Sequence, residues 1–397
     1  MKILLVHNYY RSGTPGGEDV VFEQERALLA AGGHHVITYT RSNDEMREGH
    51  PLDSLRVLTG LRRSNRTRRE LSEIIERERP DVAHVHNTFP LISPGVFEVF
   101  ASARLPVVQT IHNYRMVCAT ANHYRDGKVC DRCSMGKPWA AVRHRCYRNS
   151  RLASLALAQS MVRQARARVH ERGVDRYIAL TEFAAARLRS AGVPAERVVV
   201  KPNFIDLSFV LATSPAAGTP YAVFTGRLIA EKGVVTLLEA WRAIPSLHLK
   251  IIGDGPLRSF LQREAETHRL SVDFLGNLPR SQALSIVRGA LCQLSPSHWF
   301  EGMPMVVLEA WALGVPVIAS RIGGLAEMLG ADERGLGVSP GNARALAEAV
   351  TRLRSDPALA QRLVQCARTA LAAHQPAVNL SRLEEIYRGV IQGRQGK

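Results

Sequence analysis

Short apolar runs punctuate the first 200 residues, at 3–7, 35–39, 82–86, 107–111, 177–181 and 198–201. Their length and their content of Val, Ile and Leu predict buried strands. Between them, apolar positions fall three and four apart, as in Val20-Val21-Phe22-Glu23-Gln24-Glu25-Arg26-Ala27-Leu28-Leu29, which predicts helices. Strand and helix in alternation predict an α/β fold with a parallel, doubly wound sheet, whose ligands bind at the carboxyl ends of the strands. The pattern lapses from Leu207 to Pro220 into Ser, Thr, Ala, Gly and Pro, the composition of a linker. It resumes at Tyr221-Ala222-Val223-Phe224 and continues through Leu249 to Ile252, Phe274 to Gly276, Leu291 to Ser295 and Pro316 to Ser320. Helices over 343–373 and 376–393 close the chain. The expected organisation is a first domain over 1–206, a linker over 207–220, a second domain over 221–375 and a terminal helix over 376–397.

The densest chemistry lies between the last two of those strands. Glu301-Gly302-Met303-Pro304-Met305-Val306-Val307-Leu308-Glu309 reads as a loop entering a helix, with Pro304 at the first helical position and Gly314 as its C-terminal cap. Backbone N–H groups at Met303 to Met305 then form an anion site. Glu309 can accept two hydroxyls of a ribose, and Glu301 can reach the hydroxyls of a second sugar. A phosphate held between the two carboxylates describes a sugar nucleotide. Upstream, Arg227 and Lys232 flank a strand-to-helix loop between Gly226 and Gly233, where two cations can neutralise a diphosphate without a metal ion. Gly253 and Gly255 form a glycine turn after another strand. In the first domain, Gly16 and Gly17 open the first carboxyl-edge loop, and His112 stands at a strand end where it can bond a sugar hydroxyl or shuttle a proton.

Composition changes the picture in three places. The 397 residues suffice for two α/β domains, and no apolar run is long enough to span a membrane. The N-terminus reads as a strand rather than a signal peptide, so the expected compartment is the cytoplasm. Residues 1–200 carry +11 of the net charge of +16, which suits contact with an anionic membrane or an acidic substrate. Cys118, Cys130, Cys133 and Cys146 fall in an insertion over about 113–151. They read either as a structural zinc site with one tight CxxC pair or as four reduced thiols packed under a lid.

The run Pro296-Ser297 … Glu301-Gly302-Met303-Pro304 … Leu308-Glu309-Ala310 … Gly314-Val315-Pro316-Val317-Ile318 resembles the signature of retaining glycosyltransferases of family 4, of the kind that build bacterial cell-surface polysaccharides. Matching motifs run from the Gly16-Gly17 loop to the last strand–helix–strand unit. The resemblance implies the GT-B fold, two facing Rossmann-like domains with the last helix crossing back to the first. It implies catalytic or positioning roles for His112, Arg227, Lys232 and Glu301. It places Gly16, Gly17, Gly253, Gly255, Gly302, Met303, Pro304 and Glu309 against the donor. Phe204 stands where the family usually has Gly.

The expected activity is transfer of a sugar from a nucleotide-diphosphate sugar to a lipid-linked or polysaccharide acceptor, with retention and no catalytic cofactor. No carboxylate stands ready as a nucleophile, so front-face substitution is expected. A peripheral contact on the inner face of the membrane fits the basic first domain. A sugar-nucleotide epimerase or hydrolase of the same fold is the rival reading. A zinc-containing nucleic-acid binder is a third, and the basic runs lack the interleaved aromatics it would need.

Overall fold

The computed structural model describes residues 1–12, 16–46, 64–133, 137–166, 173–207 and 220–395. The Gly13 to Pro15 part of the first glycine loop, Arg62-Arg63 and nearly all of the expected linker lie outside them. The chain divides into two compact units. One comprises Met1–Asn122, Cys130–Pro202 and Ala377–Lys397, the other His123–Val129 and Asn203–Pro376.

Six parallel strands form the sheet of the first unit: β1 (Lys2–Tyr9), β2 (His35–Ser42), β3 (Val82–Asn87), β4 (Val107–Ile111), β7 (Arg176–Ala179) and β8 (Val198–Val200), in the order β2-β1-β3-β4-β7-β8. The order reverses direction beside β1, which pairs with β2 on one side and β3 on the other. Ile3, Leu5, Val82, Val108 and Ile178 from these strands pack with Phe22 and Leu29 of the Gly17–Ala31 helix. The terminal helix, Pro376–Gln395, completes that core with Leu383, Tyr387 and Val390, although it is last in sequence. Helix starts follow capping chemistry: Ser64 accepts from the Thr67 amide and Thr181 from the Ala184 amide.

The second unit repeats the plan with β9 (Tyr221–Thr225), β10 (His248–Ile252), β11 (Val272–Gly276), β12 (Cys292–Ser295), β13 (Val317–Ser320) and β14 (Leu336–Val338). Their order, β11-β10-β9-β12-β13-β14, reverses between β9 and β12, the topological switch point at which such sheets bind ligands. Trp241 and Trp311 are buried in this unit, and their indole N–H groups bond the carbonyls of Leu247 and Arg334. Truncating either to Ala would cost roughly 3–5 kcal/mol.

Two sequence expectations need correction here. Pro304 is the N-cap of the Met305–Leu313 helix rather than its first residue, with an extended ψ of 125°. The helix expected over 343–373 is broken: Asp356 ends Ala343–Ser355 and caps Pro357–Ala370, bonding the Leu359 amide at 2.8 Å. A proline cannot continue the first helix but suits the first turn of the second. Within the insertion, residues 123–129 cluster with the second unit, where β5 (Tyr124–Arg125) and β6 (Lys128–Val129) pair antiparallel.

Candidate functional site

In the second unit the loops following β9 and β12 meet across the switch point. Gly233 adopts a φ of +72°, and a Cβ there would lie 1.9 Å from the Pro296 carbonyl oxygen. The His298 amide bonds the Glu231 carbonyl at 2.8 Å. This close packing delivers Lys232 to Glu301, with Nζ 2.7 Å from Oε1. Oε1 also accepts from Ser297 Oγ at 2.7 Å and from Trp299 Nε1 at 2.8 Å. Burial raises the Glu301 carboxyl, but Lys232 and these two donors outweigh it and hold the group below its ordinary range. Its Oε2 makes no hydrogen bond among the described residues and remains the atom for a further donor.

Glu309 lies on the Met305–Leu313 helix with its side chain 14% exposed. Arg280 donates to its Oε1 from Nε at 3.1 Å and Nη2 at 3.0 Å. Burial pushes the Glu309 carboxyl above its ordinary pKa, against the pull of Arg280. Arg227 is exposed at the end of the β9 loop. Met303, half-buried, accepts from Asn203 Nδ2 through its carbonyl at 3.1 Å. Beyond it, the first-turn amides of Met305 and Val306 have no intrahelical acceptor, as at any helix start. Gly302 is fixed because Gly324 backs onto it: a Cβ on Gly324 would lie 2.1 Å from the Gly302 oxygen. The same closeness explains Gly253 and Gly255. At these positions a Cβ would meet the Gly226 oxygen at 2.1 Å and the Leu228 oxygen at 2.6 Å. Both glycines therefore serve to stack the β9 and β10 loops.

The carboxyl edge of the first sheet holds a chain of buried polar groups. Lys201 Nζ donates to Glu25 Oε1 at 2.6 Å, both side chains wholly buried. Glu25 Oε2 lies 3.4 Å from His86 Nε2. His86 Nδ1 is 3.0 Å from His112 Nε2, and the two rings stack. His84 is tied at both nitrogens, to Tyr387 Oη and Thr110 Oγ1. Burial lowers its pKa to about 4, and holds His86 and His112 well below their ordinary value, so these rings are neutral. Glu25, His84 and His86 are the one trio among the described residues with ligand atoms close enough for a metal ion. Lys201 already supplies the cation there, and no hydrogen bond joins the three: Glu25 Oε2 and His86 Nε2 are both buried without a hydrogen-bond partner among the described residues. Gly16 caps the Gly17–Ala31 helix and bonds Asp19 Oδ2 at 2.9 Å, and Asp19 in turn bonds His7 Nε2 at 2.8 Å. Gly17 faces open space.

His112 lines a cavity at the ends of β3 and β4, with Asn87, Phe89 and Arg115 among its walls. The four cysteines of the insertion share one neighbourhood. Burial raises the Cys133 thiol to about 11, and Cys118, Cys146 and Cys130 add to it. Cys133 and Cys146 pack against Ala119, Ala141 and Leu157. These sulfurs are not drawn together as a ligand set in the way that Glu25, His84 and His86 are.

Sequence reasoning missed Ser297, Trp299 and Arg280 in the second unit, and Glu25, His86, Lys201 and Arg115 in the first. Ser297 and Trp299 stand within four residues of Glu301, so their proximity was available. Arg280 and Lys201 look like ordinary surface charges in sequence, and only the strand order brings them to their carboxylates.

Comparison with known proteins fits this geometry. The profile described as Glycosyltransferase Family 4 matches residues 15–209, and that of Glycosyl transferases group 1 matches 212–370. Glycogen synthase of Mycobacterium tuberculosis is 34% identical over 168 residues, 41% of this chain and 40% of that protein. The putative teichuronic acid biosynthesis glycosyltransferase TuaC of Bacillus subtilis is 39% identical over 132 residues, 33% of this chain and 32% of its own. The chain thus spans about two fifths or less of these curated relatives. Anabaena Alr3699/HepE, solved in complex with UDP-glucose, superposes with a TM-score of 0.68 over 98% of this chain and all of that one, at 16% identity. That likeness establishes the fold, two Rossmann-like domains of the GT-B class.

Proposed function

The chain belongs to the glycosyltransferases of group 1 and family 4, and from that membership we propose that it transfers a hexosyl group from a nucleotide-diphosphate sugar to a hydroxyl of a lipid-linked or polysaccharide acceptor. The transfer proceeds with retention and without a catalytic metal ion. The observation that carries the reading is the pairing of Lys232 with Glu301 across the β9/β12 switch point, with Glu309 on the helix that follows β12. The names of relatives that act on glycogen and teichuronic acid, and a structural neighbour holding UDP-glucose, support a sugar-nucleotide donor and a glycan product.

Each residue has a place in that chemistry. Glu309 accepts the two ribose hydroxyls, exchanging its contact with Arg280 for them. The helix start beyond Met303, with Arg227 and Lys232, stabilises the departing diphosphate in place of a metal. Glu301 Oε2 orients a hydroxyl of the transferred sugar. The bond from the anomeric carbon to the phosphate oxygen breaks as the acceptor oxygen bonds to the same face, and the acceptor proton passes to the departing phosphate oxygen. In the first unit, His112 offers a neutral imidazole whose orientation is set by its hydrogen bond and stacking with His86. It orients a hydroxyl and forms no covalent bond.

The test is product analysis by proton NMR, with a panel of nucleotide sugars and octyl glycoside acceptors, in the presence and absence of EDTA. A product with the donor's anomeric configuration, formed at an unchanged rate in EDTA, is expected. Inversion, or loss of activity in EDTA, would overturn retention or metal independence. Turnover of the donor with no acceptor product would favour an epimerase or hydrolase.

A further inference from the structure

The cavity at the ends of β3 and β4 holds a guanidinium with unmatched donors. Arg115 Nε and Nη1 are both buried and make no hydrogen bond among the described residues. A guanidinium offers five N–H donors and no acceptor, so burying its donors unmatched is costly. Its central carbon lies over the Phe89 ring, 3.7 Å from the ring centroid. That cation–π contact holds the guanidinium against the Phe89 face. Burial raises the Glu18 carboxyl and the charge of Arg115 lowers it, but no hydrogen bond or close ion pair joins the two among the described residues. Its Oε1 accepts from Asn113 Nδ2 at 2.8 Å, its Oε2 is likewise buried without a partner, and no carboxylate lies within 4.0 Å of Arg115 among the described residues.

The rest of the cavity narrows the ligand. Phe97, Met116, Leu157 and Met161 give it an apolar wall, while Asn87 and His112 supply polar groups. We propose that this cavity binds the anionic group of the acceptor, a phosphate or carboxylate carried beside an apolar segment, with Arg115 as its anchor. The assignment to the acceptor rests on the transferase reading, whereas the anion site itself stands on Arg115 and its surroundings. An oxyanion seated here accepts from the orphaned N–H groups and offsets the buried charge, and the apolar wall takes the attached chain.

Isothermal titration of the full chain with octyl phosphate, octyl glucuronide and octyl glucoside, each below its micelle concentration, tests this directly. Wild type is expected to bind one anionic probe at least about tenfold more tightly than the neutral glucoside, as a charge-assisted hydrogen bond requires. Preference for octyl phosphate assigns a phosphorylated acceptor, and preference for octyl glucuronide a uronic one. Arg115→Gln should remove the preference and Arg115→Lys should keep part of it, with titration of whichever of UDP, GDP or ADP binds wild type reporting that the second unit is intact. Equal binding of all three probes by wild type, or an undiminished preference in Arg115→Gln, would overturn the proposal. If anionic probes bind but no nucleotide does, the transferase reading falls while the anion site remains. If nucleotides bind and the anionic probes show no preference, the reverse holds.

Discussion

Lys232 Nζ and Glu301 Oε1 are 2.7 Å apart although 69 residues separate them in sequence. The pair spans the loops after β9 and β12, strands that are neighbours only because the sheet order reverses there. Lys232→Met leaves the carboxylate with Ser297 and Trp299 alone. Because both charges are largely but not wholly buried, the expected loss is about 2–4 kcal/mol in urea unfolding, with Lys232→Arg recovering part of it. Unchanged stability in Lys232→Met would show that the pair is incidental.

Glu309 carries the opposite sign. Its folded pKa is raised by burial, so the folded state holds its proton more tightly than the unfolded chain, and this group lowers stability as pH rises above the ordinary carboxylate range. Glu309→Gln removes that burden and keeps an acceptor for Arg280. At pH 7 its melting temperature should equal or exceed that of wild type while nucleotide binding is lost, as at a site where function is retained at the expense of stability. A lower melting temperature would contradict the assignment.

The histidines of the first unit predict an acid limit. The folded pKa of His84 is about 4 against an unfolded 6.5, and those of His86 and His112 are lowered by burial in the same direction. Between these values the unfolded chain binds protons that the folded chain refuses, so stability falls as pH drops from about 6.5 towards 4. In His84→Asn the decline with pH should be shallower by up to about 1.4 kcal/mol per pH unit, the weight of one proton. Equal slopes in the two proteins would contradict a buried neutral His84.

Two glycines separate local freedom from close packing. Gly233 has a φ of +72° and would press a Cβ against the Pro296 oxygen, whereas Gly17 faces open space at a helix start. Gly233→Ala should cost at least about 2 kcal/mol and disturb the approach of Lys232 to Glu301, while Gly17→Ala should stay within about 1 kcal/mol of wild type. Denaturant midpoints of the two variants decide it.

These relationships mark where the sequence was legible. The runs at 107–111 and 82–86 announced β4 and β3 because a parallel strand buried on both faces is largely apolar, as at Val82, Ala83, Val85, Val107, Val108 and Ile111, with His84, His86 and Thr110 the buried polar exceptions. The loop from Glu301 to Pro304 was legible as a helix entry because proline and glycine punctuate the chain there, although Pro304 proved to be the cap. The break at Asp356-Pro357 was written in the sequence and was overridden by the apolar spacing on either side of it. What could not be read were pairings made by topology. Lys201 reaches Glu25 across 176 residues, and Tyr387 reaches His84 across 303. Arg115 differs from other arginines only in the closure of a cavity around it.

The central claim is that the second unit binds a nucleotide-diphosphate sugar through Glu309. A thermal-shift screen against UDP, GDP, ADP and their sugars, with Glu309→Ala alongside, tests it most directly. One base family should stabilise wild type, by roughly 2.7 kcal/mol at a hundredfold excess over Kd, and leave Glu309→Ala unmoved. An equal shift in wild type and Glu309→Ala, or no shift with any nucleotide, would contradict the account.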